Sequence, residues 1–332
     1  MTRAFITGIS GQDGSYLADR LVEEGAEIHG LIRGWDKDSV ALSKRYPGIT
    51  LHDGDLADAS GLSQLIHELA PDEIYNLAGI SSVAQSWEIP VITGKITGIA
   101  VAGILDAALD LNRKTGSRVR VFQASSSEMF GTPSQSPQTE STPLSPTSPY
   151  GAAKVYAHHM VQVYRSRGLD VSSCIFYNHE SPRRPETFVT RKITASAARI
   201  AAGQQDFLDL GSLDVERDWG WAPDYVDAMV RATRHEKSGD YVIATGVRHT
   251  VAHFVSVAFS AAGIADWESV VRVNPAFVRT AEISSMLGDS TKARDVLGWK
   301  PTVELNELVA IMVQEDMRLI RESSSPSRSV AP

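Results

Sequence analysis

Through its first 180 residues the chain alternates short apolar runs with longer amphipathic stretches, and few folds accept that rhythm. Ala4–Ile6, Glu27–Ile32, Ile49–His52, Glu73–Leu77, Val119–Ala124 and Val171–Tyr177 read as strands. Ser15–Glu24, Ala59–Leu69, Gly94–Leu111 and Pro149–Arg167 read as the helices between them. The pattern predicts right-handed β-α-β crossovers, hence an α/β Rossmann-type fold: a doubly wound parallel sheet with helices on both faces. After Asn178 the texture changes to helices broken by loops, at Val189–Ala202, Pro223–Arg234, Val251–Ala262 and Leu305–Arg321. That predicts a smaller mixed α/β lobe. Residues 1–177 are therefore expected to form the first domain, rejoined by about 223–250 because Ile243-Ala244 reads as one more strand. Residues 178–322 form the second lobe. Residues 323–332, serine-rich and almost without apolar content, read as a disordered tail.

Charge and cysteine content narrow the functions. Lys+Arg number 32 against 40 Asp+Glu, a net charge of −8, which argues against a nucleic-acid partner. The sole cysteine, Cys174, excludes an internal disulfide and a cysteine zinc site. His249 and His253 have helical i, i+4 spacing but no evident third ligand, so no metal is expected. The apolar run Ile99 to Leu105 meets Asp106 well short of the roughly 20 residues a membrane span needs. Arg3 leads directly into a strand and turn, which is not signal-peptide grammar. A cytoplasmic protein without a membrane partner is the expectation.

Between the first strand and helix stands Gly8-Ile9-Ser10-Gly11-Gln12-Asp13-Gly14, a G-x-x-G-x-x-G turn. Glycines there let the backbone turn sharply and approach a pyrophosphate at the helix N-terminus, although glycines alone would also fit a plain turn. An NAD enzyme places a carboxylate at the end of the second strand; here Arg33 follows Ile32, and a guanidinium suits the 2′-phosphate of NADP. A solvated arginine is the bland alternative.

Ser148-Pro149-Tyr150-Gly151-Ala152-Ala153-Lys154 has helix-start grammar, with a capping serine and proline at the first helical position. Tyr150 and Lys154 then share a face, and a phenol beside an ammonium at a helix N-terminus is disposed to exchange a proton with a hydroxyl. His158 and His159 are expected on the exposed side of this helix. The strand Val119–Ala124 delivers Ser126 and Glu128 to the carboxyl edge of the sheet, where α/β folds bind ligands. Ser126 could hold a reacting oxygen and Glu128 could take a carbon-bound proton. A capping serine beside a solvated glutamate fits the spacing equally well.

The glycine turn through Leu17, Ala124 to Gly131, Ser148 to Lys154, and especially Asn178-His179-Glu180-Ser181-Pro182-Arg183-Arg184 followed by Phe188-Val189-Thr190-Arg191-Lys192-Ile193 carry a resemblance. The chain is similar to the GDP-mannose 4,6-dehydratase family of extended short-chain dehydrogenase/reductases over nearly its whole length. Arg217-Asp218-Trp219-Gly220 and Gly288-Asp289 add to it. The glycine turn and Tyr-x-x-x-Lys are common to the superfamily; the Asn178 to Ile193 block is far more specific.

The resemblance implies NADP as cofactor and GDP-mannose as substrate, dehydrated to GDP-4-keto-6-deoxymannose. Gly8, Gly11, Gln12, Asp13 and Gly14 would hold the pyrophosphate, and Asp55 and Leu56 would flank the adenine. Leu77, Ala78, Gly79 and Ser81 would line the path to the nicotinamide, and Tyr150, Lys154, His179 and Arg184 would complete the cofactor site. Ser126, Glu128, Tyr150 and Lys154 would carry the chemistry. Ser82, Asn178, Val189, Lys192, Arg217, Arg279 and Glu282 would hold the GDP-sugar. Three departures stand out. Ser126 replaces the family's usual threonine, Ile92 replaces an aromatic residue near the cofactor, and Gly34-Trp35-Asp36-Lys37-Asp38 does not match the loop that joins the family's tetramers. A homodimer through the long helices is expected, with a tetramer left open. The rival readings are a reductase or epimerase of a related GDP-sugar and a non-catalytic NADP sensor.

Overall fold

The computed structural model describes residues 1–277 and 285–324. Its strands in chain order are β1 (Arg3–Thr7), β2 (Glu27–Ile32), β3 (Thr50–Asp53), β4 (Glu73–Asn76), β5 (Arg120–Ser126) and β6 (Asp170–Phe176). Then come β7 (Asn178–Glu180), β8 (Leu208–Leu210), β9 (Glu216–Trp221), β10 (Asp240–Ile243), β11 (Arg248–Thr250) and β12 (Val271–Val273). The helices begin with α1 (Gln12–Glu23), α2 (Lys37–Arg45), α3 (Ala59–Leu69), α4 (Val83–Glu88), α5 (Pro90–Thr115) and α6 (Pro149–Ser166). They end with α7 (Val189–Ala201), α8 (Ala222–Arg234), α9 (Val251–Ala261), α10 (Thr291–Leu297) and α11 (Leu305–Ser324). The chain divides into two units. The first is 1–177, 222–246 and 286–300, and the described part of the second is 178–221, 247–277, 285 and 301–324.

The first unit is a seven-stranded parallel sheet in the order β10-β6-β5-β4-β1-β2-β3. Neighbouring residues of a strand face opposite ways, so a sheet covered on both sides needs strands that are apolar throughout. Phe5, Ile74 and Val121 pack with Leu62, Ile66, Leu105 and Val161 of α3, α5 and α6. Their neighbours Ile6, Tyr75 and Phe122 pack with Leu17, Leu21, Tyr225 and Met229 of α1 and α8. Strand order reverses between β1 and β4. Such a switch point opens a crevice at the carboxyl edge.

Helix α5 runs past the Asp106 that the sequence reading took as the end of an apolar run, absorbing a π-helical turn at Gly94–Ile99. At 26 residues it is long and apolar enough to cross a membrane, yet half of its most apolar window is buried. Val101, Ile104, Leu105 and Ala108 close one face of the sheet, as a core helix does, and Asp106 accepts a hydrogen bond from the Tyr164 hydroxyl at 3.0 Å.

Two boundaries differ from expectation. Residues 286–300, assigned from sequence to the second lobe, belong to the first unit. The Trp299 indole donates to the Asp224 carbonyl at 2.7 Å and meets the Tyr225 ring edge-on, burying α10 beside α8. Ser323 and Ser324, assigned to the tail, continue α11; residues 325–332 lie outside the described ones.

The second unit sets α7, α9 and α11 around Ile193, Trp219, Phe254, Phe259, Leu308 and Met312. β9 pairs antiparallel with β11 and parallel with β7, while β8 and β12 form a separate parallel pair.

Candidate active site

At the switch point the Thr7 hydroxyl donates to Asn76 Oδ1 at 2.6 Å and accepts from the Leu77 and Ala78 amides at 3.2 and 3.1 Å. This pins the ends of β1 and β4 together directly below the glycine turn. Gly8 has φ +72°, and a Cβ there would lie 2.9 Å from the Ala78 backbone. A Cβ on Gly14 would lie 2.2 Å from the Gly8 carbonyl oxygen, so the helix start and the turn can approach only as glycines. Gly11 caps α1 without a side chain, leaving the first helical amides with no side-chain cap. A helix start of this kind, under a turn with no Cβ in the way, fits a dinucleotide pyrophosphate.

Around that turn, Arg33 extends exposed from the end of β2, with no hydrogen bond or ion pair to a described residue. The next residue, Gly34, adopts φ +74° and donates its amide to Asp53 Oδ1 at 2.8 Å. Leu56 is buried, and Asp55 accepts from the Ala57 amide at 2.9 Å. Gly79 borders Thr97, whose hydroxyl accepts from the Ile80 amide at 3.0 Å. Ser82 caps α4, accepting from the Gln85 amide at 3.2 Å. Ser81 lies between these two fixed points. The unmatched segment after Gly34 forms α2, which Asp36 opens with a reciprocal capping box to Ser39.

Strand β5 ends in Ser126, whose hydroxyl accepts from the Glu128 amide at 3.3 Å and caps a single 3₁₀ turn, Ser127–Met129. That turn brings half-buried Glu128 against the start of α6, where a Cβ on Gly151 would lie 2.6 Å from the Glu128 carbonyl oxygen. Ser148 accepts from the Gly151 amide at 3.0 Å and Pro149 takes the first helical position, as the sequence predicts. The Tyr150 amide donates to the Ser86 hydroxyl at 3.3 Å, which ties α6 to α4. Lys154 donates to the Ala124 carbonyl at 2.7 Å, with its ammonium 5.8 Å from the Tyr150 ring centre. Burial lowers the Lys154 pKa from 10.5 to about 8, with Asp13 of the glycine turn pulling it upward. The turn, Ser126, Glu128, Tyr150 and Lys154 thus gather at one edge of one sheet.

His158 departs from expectation. It is 3% exposed and sits beside Ser125 and Ser173, because it follows Lys154 by one helical turn and Tyr150 by two on the buried face. His159 is exposed. Sequence reasoning also missed Thr7, Asn76 and Ser86; the signal for the first two was a polar residue ending each of two buried strands.

The remaining described candidates belong to the second unit. Asn178 and His179 lie on β7, paired with Trp219 and Gly220. The Arg184 guanidinium stacks 3.6 Å over the Phe188 ring and lies 3.2 Å from Glu180. Val189 is exposed at the start of α7. Lys192 donates to the Asp209 carbonyl at 2.7 Å with the Phe277 ring at 4.1 Å, and burial lowers its pKa against the pull of Asp209. Arg217 is buried on β9 and donates to the Glu216 carbonyl at 2.8 Å. Arg279 and Glu282 lie outside the described residues. His249 and His253 stack at 5.1 Å, and among the described residues no three His, Cys, Asp or Glu gather as a metal would require.

Residues 5–312 match the family model for GDP-mannose 4,6 dehydratase. The chain belongs to that family. It is 44% identical to GDP-mannose 4,6 dehydratase 1 of Arabidopsis thaliana, over 96% of this chain and 90% of that one. It is 41% identical to the GDP-mannose 4,6-dehydratase of Sinorhizobium fredii, over 96% and 97%. The fold matches that of the dTDP-glucose 4,6-dehydratase of Streptomyces venezuelae, solved with NAD, with a TM-score of 0.84 at 23% identity over 98% and 99% of the two chains.

Proposed function

We propose that the protein dehydrates GDP-mannose to GDP-4-keto-6-deoxymannose, using NADP held by Gly8, Gly11, Gln12, Asp13 and Gly14. The observation that carries this reading is the convergence of Ser126, Glu128, Tyr150 and Lys154 beside the glycine turn. Arg33, exposed and unpaired among the described residues, supports NADP over NAD because a 2′-phosphate would supply its partner. The family resemblance assigns Asp55 and Leu56 to the adenine, Leu77, Ala78, Gly79 and Ser81 to the path toward the nicotinamide, and His179 and Arg184 to the cofactor. The same resemblance assigns Ser82, Asn178, Val189, Lys192, Arg217, Arg279 and Glu282 to the GDP-sugar, whose diphosphate calls for several cations.

When bound, the dinucleotide supplies a reversible hydride acceptor. Tyr150 takes the proton of the carbon-4 hydroxyl, Lys154 favours the phenolate by its charge, and Ser126 orients the reacting oxygen. The resulting ketone acidifies the neighbouring carbon-5 hydrogen. Glu128 takes that proton and passes it to the departing carbon-6 hydroxyl, which leaves as water; the hydride removed from carbon 4 would end on carbon 6 and a solvent proton on carbon 5, which balances the 4-keto-6-deoxy product. The exposed apolar residues Trp87, Val91, Ile92, Ile99, Tyr156 and Val163 of α4, α5 and α6 support a homodimer through these helices. Incubation with GDP-mannose and no added reductant tests the reaction. A 4-keto product is expected; a stoichiometric demand for NADPH would mark a reductase instead.

A further inference from the structure

Below the catalytic pair, α6 carries a buried polar chain. His158 Nδ1 lies 3.3 Å from the Ser125 hydroxyl and 3.4 Å from that of Ser173, and Ser173 donates to Ser125 at 2.8 Å. On the other side of the ring, Nε2 lies 3.2 Å from the Gln162 amide nitrogen, which is also 3.2 Å from Asp240 Oδ2. Arg165 grips the same carboxylate with two bonds of 2.7 and 3.2 Å.

These partners fix a tautomer. A side-chain amide set against a carboxylate presents its nitrogen, so Gln162 donates both to Asp240 and to His158 Nε2. His158 therefore accepts at Nε2, and its proton sits on Nδ1, aimed at the two serine oxygens. Ser125 lies between Ala124, whose carbonyl receives the Lys154 ammonium, and Ser126. Lys154 and His158, one turn apart on α6, thus clamp consecutive residues of β5.

We propose that His158 is a positioning residue, which in its neutral Nδ1–H form holds the carboxyl end of β5 in register with Tyr150 and Lys154 through Ser125. An apolar residue would fill this site without needing partners, whereas the imidazole meets a donor on one side and acceptors on the other. Protonation would set two donors against each other at Gln162 and place a second cation one helical turn from Lys154. The titratable and charged groups facing His158 are Asp240 from β10 and His159 and Arg165 from its own helix; β5 and β6 offer it the hydroxyls of Ser125 and Ser173. Burial lowers the His158 pKa despite Asp240, which keeps the ring neutral around pH 7.

The inference rests on the proposed dehydration, and wild-type turnover of GDP-mannose tests that reading alone. The ratio of each variant to wild type tests this one. His158→Leu should lower kcat by about tenfold to a hundredfold, the scale of a misplaced catalytic group, with KM nearly unchanged. His158→Gln can both accept and donate, so it should restore most of kcat near pH 8. Because it cannot titrate, its kcat should hold to lower pH than wild type. Ser125→Ala, a small change should His158→Leu not fold, should reproduce the kcat loss, and combining it with His158→Gln should cost little more than Ser125→Ala alone. Equal kcat for the Leu and Gln variants, an unchanged acid limb in His158→Gln, or full activity in Ser125→Ala would overturn the proposal.

Discussion

Replacing Lys154 by methionine should make the protein more stable while removing most of its activity. The Lys154 ammonium is buried, and its only described hydrogen bond goes to the Ala124 carbonyl at 2.7 Å. Burial lowers its pKa from 10.5 to about 8. At roughly 1.4 kcal/mol per unit, holding the charge inside costs about 3 kcal/mol at pH 7. Methionine is of similar length and carries no charge, so it relieves that cost and leaves one carbonyl without its partner, a loss of about 1 kcal/mol. The expected net gain is about 2 kcal/mol. Its pH dependence follows from proton counts. Between pH 8 and 10.5 the unfolded chain holds the lysine proton and the folded one does not, so wild-type stability rises with pH across that window. The methionine variant lacks this rise, and its advantage should vanish near pH 10. Urea denaturation of both proteins without nucleotide, at pH 7 and at pH 10, measures the difference. A variant less stable than wild type at pH 7, or an advantage of equal size at both pH values, refutes the reasoning.

Three further outcomes are expected. Glu128→Gln should reduce turnover by about 10²–10⁴-fold, with GDP-mannose affinity nearly intact by calorimetry. Arg33→Ala should weaken NADP binding far more than NAD binding in a fluorescence titration; equal losses would remove the argument for the 2′-phosphate. Asp316 is pushed up to about 6 by burial although Arg191 lies 2.7 Å away, so the folded state holds its proton from about pH 4 to 6 and stability falls as pH rises through that window. Asp316→Asn should flatten that part of the stability profile in thermal melts.

What was legible in the sequence follows from how local each cause is. Glu27–Ile32 and Ala59–Leu69 were bounded correctly because apolar period and turn signals are written within a few residues. The start of α6 was legible because cap, proline, tyrosine and lysine act inside one helical turn or two. The placement of 286–300 was not, since it depends on Trp299 reaching a carbonyl 75 residues away. The three-residue strands β7, β8, β11 and β12 also escaped, because their pairing is set by distant partners. His158 was misplaced although its signal was available: eight residues after Tyr150, it falls on the same helical face. For Arg279 and Glu282, outside the described residues, the substrate assignment rests on the family resemblance.

The most direct test of the account follows two labels through one turnover. GDP-mannose carrying deuterium at carbon 4, incubated in ordinary water without added reductant, should give a 4-keto-6-deoxy product with that deuterium at carbon 6. Unlabelled substrate in heavy water should give a product with one solvent deuterium at carbon 5. Both labels are read by NMR on the same enzyme preparation. Retention of the carbon-6 oxygen, or a carbon 6 that takes its new hydrogen only from solvent, contradicts dehydration by internal hydride return.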